Sequence, residues 1–403
     1  MNKKINTACL FWIGIIPTVI YVITRIGILR DDGYLKIAKA LLQYGSFGMP
    51  PSAYHMPGYP LFQAFLLSML PEKYLILANI AFFVLASAIF FALLRYARIT
   101  LRVWSGMLVL FLWFFNPFFL FLHRWPMSEN PFIPLFMVAI FFYWKYLDEG
   151  CLRDIIVSMG VLAFAAYIRS YVLYLPIFLG LPILVYRKNI RHYVLGCSLF
   201  LLILSPWWVR NYIQFEHIIL TTSRTAHGIW TATNSYILYE RPDYTGQWQS
   251  LSIILRSTNN IKLKKDIRAW MDIRHNRDSP TSERFARDRV LEFYKNNMWH
   301  VPWLFLQRLK WFWHYSGRHP SNRTWYYDLL GVAWYLVWMP FAFIYLRSNP
   351  DPHFRAIFIT VAIYFSLIAM VSLGSVRMRM PMEFMLIMMF IQGIPLVLRR
   401  LLL

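Results

Sequence analysis

The sequence predicts an all-α polytopic membrane protein with about ten transmembrane helices, and three observations predict it. Of its 403 residues, 58% are hydrophobic and 19% aromatic, whereas a soluble globular chain is about 45–50% apolar. Several apolar runs approach the ~20 residues that cross a bilayer. Lys and Arg gather in alternate loops, as the positive-inside rule requires of a chain that crosses repeatedly.

Lys3 and Lys4 precede an apolar run from Ala8 to Ile28. It is too long for the core of a signal peptide, and no small-residue cleavage site precedes Arg30. It therefore reads as an uncleaved first span with a cytoplasmic N-terminus, so that loop 30–60 emerges outside. In that loop Tyr34, Ile37, Ala38, Leu41 and Leu42 form one apolar helix face, with Lys36, Lys39 and Gln43 turned away. Such an amphipathic helix lies on the membrane surface. Asp31 and Asp32 stand at its start and Gly45 just past its end.

A second span runs from Tyr74 to Leu94 and a basic inner loop holds Arg95, Arg98 and Arg102. A third covers Val103 to Leu122, and a short outer turn carries His123, Arg124 and Glu129. The fourth ends near Tyr146. Ile155 to Tyr186, broken at Arg169-Ser170, reads as two short helices with Arg169 at their outer turn. Arg187, Lys188, Arg191 and His192 return inside before a seventh span, Tyr193 to Val209. These make an N-terminal membrane module, 1–209. Residues 210–324 form a small external domain. Ser279-Pro280 starts a helix there, and the Trp-rich stretch Met298 to Tyr315 suits an interfacial helix. Trp325–Leu346, Ala356–Leu373 and Pro381–Leu398 close the chain as a C-terminal module, 325–403, with both ends cytoplasmic.

The formal net charge is +22. In a membrane protein this suits anionic headgroups or phosphate-bearing substrates, and no nucleic-acid-binding motif is present. Cys9, Cys151 and Cys197 make no metal-type pair, and His123, His217, His227, His300, His314 and His319 are not at metal-ligand spacing. Arg124, Arg169, Arg210, Arg377 and Arg379 fall near outer ends of spans. Arginine at that depth needs a partner. Two are open to it: salt bridges to Asp31, Asp32 or Glu129, or a phosphate, whose oxygens match the guanidinium fork.

Several of these stretches together resemble the GT-C glycosyltransferases, in particular the family 39 branch of protein O-mannosyltransferases and lipid A aminoarabinose transferases. They are Asp31-Asp32-Gly33-Tyr34, His55-Met56-Pro57-Gly58-Tyr59-Pro60, Ser128-Glu129-Asn130-Pro131, Tyr167-Ile168-Arg169-Ser170, Ser205-Pro206-Trp207-Trp208-Val209-Arg210-Asn211-Tyr212 and Val376-Arg377-Met378-Arg379-Met380-Pro381. Each resembles a family motif, and their order spans nearly the whole chain. Asp32 stands where the family often has Glu, and His55-Met56 where some members have Lys-Pro.

The resemblance implies a GT-C fold and an inverting transferase of the inner membrane of a bacterium, working on its periplasmic face. Its donor would be a polyprenyl-phosphate-linked sugar and its acceptor a lipid, a polysaccharide such as lipopolysaccharide, or a protein. Asp31 is then the expected general base and Glu129 the accessory carboxylate, with Asp32 capping the surface helix. Arg169, Arg210, Arg377, Arg379 and His55 are expected to hold the donor phosphate, and Tyr34 and Tyr59 to touch substrate, Tyr59 being equally a packing residue. No cofactor is required, although Asp31, Asp32 and Glu129 offer oxygen ligands for Mg2+ or Mn2+. A flippase of lipid-linked sugars, a polysaccharide polymerase or ligase, and a membrane scaffold are the rival readings.

Overall fold

The computed structural model describes residues 7–26, 33–47, 53–99, 101, 103–123, 125–242, 249–276, 279–314, 325–348, 351–372 and 374–401. Asp31, Asp32 and Arg124 lie outside them. Every regular element among the described residues is helical.

The N-terminal module holds α1 (Thr7–Ile23), α2 (Tyr34–Tyr44), α3 (Gly58–Met69), α4 (Ala78–Tyr96), α5 (Val103–Val109), α6 (Pro117–His123), α7 (Glu129–Glu149), α8 (Leu152–Ile168), α9 (Leu175–Val185) and α10 (Ile190–Phe215). The segment expected to be external follows with α11 (Thr225–Thr231), α12 (Leu251–Ser257), α13 (Ile261–Asn276), α14 (Ser279–Asn296) and α15 (Val301–Phe312). Last come α16 (Trp325–Ser348), α17 (Pro352–Val371), the single turn α18 (Val376–Arg379) and α19 (Glu383–Leu401).

Among the described residues four segments are long and apolar enough to cross a membrane: Glu72–Tyr96, Glu129–Glu149, Ile190–Phe215 and Pro352–Val371. Shorter apolar helices run over Cys9–Ile23, Ser105–Phe114 and Ser170–Val185. This is the make-up of a helical membrane protein. The expected third span is not one helix. It is α5, a π-helical turn over Leu110–Phe114, and α6. The break falls at Asn116-Pro117, where proline lacks an N–H and biases the preceding residue away from helical geometry. One helix was not expected at all. The segment α3 buries Tyr59, Pro60, Gln63 and Ala64, and at 12 residues it falls short of the ~20 that span.

The centre of the bundle is α7. Its membrane window is 72% buried, against 28% for α10, and it packs on α4, α8 and α17. It ends at Gly150, whose φ of 74° is left-handed and whose N–H returns to Tyr146 O at 2.8 Å, the usual glycine stop. Aromatic packing fills the interior: Trp113 lies parallel to Phe90 at 4.3 Å and donates to Ser87 Oγ at 2.9 Å.

Helices α11–α14 share a core of their own, including Trp230, Ile254, Ile267, Trp270, Ala286 and Val290. Helix α10 continues past Arg210 to Phe215 and ends at Glu216, with φ of 55°. Arg210 therefore belongs to the last turns of a long apolar helix.

Candidate functional site

Helix α2, expected to lie on the membrane surface, starts and stops on glycines. Gly33 holds the cap position of α2 with φ of 94°, and Gly45 ends it with φ of 63° and an N–H to Leu41 O at 3.0 Å. Neither angle suits a residue with a Cβ. The apolar face turns inward through Tyr34 and Ala38. Tyr34 meets His55 at 4.2 Å and Tyr59 edge-on at 5.1 Å. Both are buried, so His55, expected at the donor phosphate, and Tyr59, expected at the substrate or in packing, make the bed on which α2 rests. Gly58 follows from the same packing, because a Cβ there would sit 2.9 Å from the Tyr167 backbone. The loop also docks outward. Ser223 N–H donates to Ala53 O at 2.9 Å, and Ala53 and Met56 share a small core with Trp207 and Phe215.

Beside Tyr34 stands Glu129, the first residue of α7 and fully buried. A helix N-terminus favours a negative side chain. Arg377 engages both carboxylate oxygens, through Nε to Oε1 and Nη2 to Oε2, the latter at 2.9 Å. Arg169 pairs with Oε1 through Nη2. Ser128 Oγ donates to Oε2 at 3.4 Å and lies 3.3 Å from the Tyr34 hydroxyl. One carboxylate thus gathers α2, the α8–α9 turn and α18. Its lone pairs face arginine donors, which suits an anchor of guanidinium groups better than an accessory acid. The arginines keep an exposed edge: Arg169 is 20% and Arg377 32% exposed.

The remaining arginines part company with this pair. Arg379 is fully buried, donating from Nε to Glu383 at 3.1 Å and from Nη1 to the carbonyls of Phe312 and His314 at 3.0 and 3.2 Å. It ties α15 to the start of α19, so its named partners are protein groups. Arg210 sits among Trp207, Phe215 and the first loop's Phe47, at 5.0, 5.3 and 5.4 Å, with Nη1 on Asn211 Oδ1 at 2.9 Å. That is a cation–π setting.

The sequence reading gave no role to Asn79, nor to Asn130 beyond its place in the Ser128–Pro131 stretch. Asn79 Nδ2 donates to the carbonyls of His123 and Trp125 at 3.1 and 2.8 Å, and Asn130 Nδ2 to those of Leu122 and Trp125, both at 3.2 Å. Together they fix the turn that delivers Glu129. A lone Asn in an apolar run was the available signal, since a buried amide needs partners. Among the described residues no group of His, Cys, Asp and Glu is placed to hold a metal ion. Asp31 and Asp32, two of the three expected oxygen ligands, lie outside them.

Comparison with known protein families, with curated proteins and with solved structures gives no match.

Proposed function

We propose that this protein is an integral-membrane inverting glycosyltransferase that moves a sugar from a polyprenyl-phosphate donor to a hydroxyl of a lipid, glycan or protein acceptor on the non-cytoplasmic face. One observation carries the reading: Arg169 and Arg377, brought from distant parts of the chain, converge on Glu129 beside the loop that bears Asp31 and Tyr34. Two guanidiniums with exposed edges suit a phosphate oxygen. In this reading Asp31 takes the proton of the acceptor hydroxyl. The acceptor oxygen bonds to the anomeric carbon, the bond from that carbon to the phosphate oxygen breaks, and polyprenyl phosphate leaves with the electron pair. The arginines stabilise the charge that develops on it. Glu129 holds them in place and is a positioning residue. Asp32 is assigned to the start of the surface helix.

The test is turnover by the detergent-purified protein, measured as polyprenyl phosphate released from a panel of lipid-linked sugars. Loss of a general base lowers rate by 10²–10⁴, so Asp31→Asn should turn over slower by at least about two decades while still melting as the parent does. Asp32→Asn should be milder. Normal turnover by Asp31→Asn removes it as the base, and transport of intact donor across vesicles with no release of polyprenyl phosphate replaces the transferase with a flippase.

A further inference from the structure

Tyr171 stands beside the arginine pair, and no role assigned above uses it. It lies in the 3-10 turn Ser170–Val172, two residues after Arg169. Its ring is wedged edge-on against Phe132 of α7 at 5.1 Å and Phe365 of α17 at 5.7 Å. The Arg169 guanidinium lies over the ring at 5.5 Å. The Tyr364 hydroxyl donates to the Tyr171 carbonyl at 2.7 Å, so the backbone of the turn is held as well. Both the ring and the backbone carbonyl are thus held by named contacts.

Its hydroxyl differs from the rest of the residue. The oxygen is buried and has no hydrogen-bond partner among the described residues. Arg169, Arg377, Tyr34 and Tyr364 are the groups within electrostatic reach. A buried hydroxyl left unpaired is costly, and phenylalanine would fill the same space without that cost. The chemistry of the neighbours says what is missing. Guanidinium groups only donate, while a phenol both donates and accepts. Beside two arginines the phenol proton lacks an acceptor, and an anionic oxygen held by those arginines supplies one.

We infer that the Tyr171 hydroxyl is a third donor to the phosphate of a polyprenyl-phosphate ligand, alongside Arg169 and Arg377. This rests on the phosphate reading of the site. The turn after Arg169 is then part of the anion cradle, and its aromatic packing sets the position of the phenol before the ligand arrives.

The experiment uses the full chain in detergent with a polyprenyl monophosphate as probe. Binding and thermal melting are read for the parent, Tyr171→Phe and Arg377→Ala, with phosphatidylglycerol as competitor. A lost hydrogen bond to a charged group lowers affinity by roughly tenfold or more, so Tyr171→Phe should bind the probe that much more weakly. Its melting temperature should be unchanged or higher, because no protein partner is stranded. Parent-like binding by Tyr171→Phe, with Arg377→Ala weakened, overturns the inference and leaves the phosphate reading standing. Parent-like binding by both variants removes the phosphate reading and the inference with it. A lowered melting temperature for Tyr171→Phe identifies a structural hydroxyl served by buried water and overturns the inference. Displacement of the probe by an equal concentration of phosphatidylglycerol reassigns the anion to a bilayer headgroup, which also overturns it.

Discussion

Glu129 and Arg377 stand 248 positions apart in the chain and meet in a two-pronged ion pair at the N-terminal end of α7. Arg169 shares the same carboxylate, so the three residues form one unit with unequal members. Removing one partner of a buried pair costs about 3–5 kcal/mol. Glu129→Ala is expected to show the full loss, because it leaves two guanidiniums facing each other. Arg377→Ala should lose less, since Arg169 keeps its partner. Thermal melting in detergent checks the order, and the double variant Glu129→Ala/Arg377→Ala should fall short of the sum. Strictly additive losses would mean that the two side chains are not coupled.

Arg308 predicts a second, purely structural loss. It is fully buried in α15. Nη1 donates to Tyr294 Oη at 3.1 Å and to the carbonyls of Met370 and Val371 at 3.1 and 3.0 Å, while Nη2 reaches Ala232 O at 3.4 Å and Thr233 Oγ1. One guanidinium therefore staples α14, α15 and the turn after α11 to the end of α17. Gly374 crosses so close to the Arg308 backbone that any Cβ there would overlap it. Arg308→Leu and Gly374→Ala are both expected to loosen this joint, exposing the 249–276 region to limited proteolysis in the folded protein. Protection equal to that of the parent in both variants would mean these helices are held elsewhere.

Much of the fold was legible in the sequence, and the reasons are local. Apolar runs marked α4, α7, α10 and α17, and Gly45 and Ser279-Pro280 marked helix ends, because those signals act within a few residues. The break inside the third stretch was also written there, in Asn116-Pro117, but a run of aromatic residues on both sides outweighed it. The site was legible only as a set of suspects. Arg169, Arg377 and Arg379 look alike in sequence and differ wholly in environment. Glu383, one helical turn beyond Arg379, was the one local clue that Arg379 has a private partner. No local pattern tells that Arg169 and Arg377 share Glu129, since that meeting depends on how four helices pack.

Glu283 should give the α11–α14 unit a pH dependence of its own. It accepts from the N–H groups of Ala226 and His227 at 2.5 and 3.3 Å, at the start of α11. Burial pushes its carboxyl above the ordinary 4.5, outweighing those N–H groups, that of Thr225 and the Arg287 charge. Between 4.5 and the raised value the folded chain holds more protons than the unfolded one. The Glu283 contribution is therefore fully present below 4.5 and is lost as pH rises through the folded value. Glu283→Gln keeps an acceptor for Ala226 and cannot titrate. Tryptophan-monitored melting of the full chain from pH 4 upward should show the parent losing stability relative to Glu283→Gln across that window. A constant difference between the two would place the Glu283 carboxyl at its ordinary value.

The last prediction separates Arg210 from Arg377, two residues that the sequence offered for the same task. Arg377 faces a carboxylate and keeps an exposed edge, whereas Arg210 is flanked by Phe47, Trp207 and Phe215. Phe47 belongs to the first loop, so this contact clamps the loop to the end of α10. A cation–π contact needs a cation over the ring and is worth about 0.5–2 kcal/mol. Arg210→Lys should therefore keep much of the clamp, and Arg210→Ala should lose it. Arg377→Ala should weaken binding of a polyprenyl monophosphate directly. In Arg210→Ala the binding of that probe should hold, while the loop loosens and a cysteine introduced at Ser46, next to Phe47, is labelled faster than in the Arg210 parent. If Arg210→Ala instead loses the probe as fully as Arg377→Ala does, with labelling unchanged, the aromatic clamp is incidental and Arg210 rejoins the phosphate set.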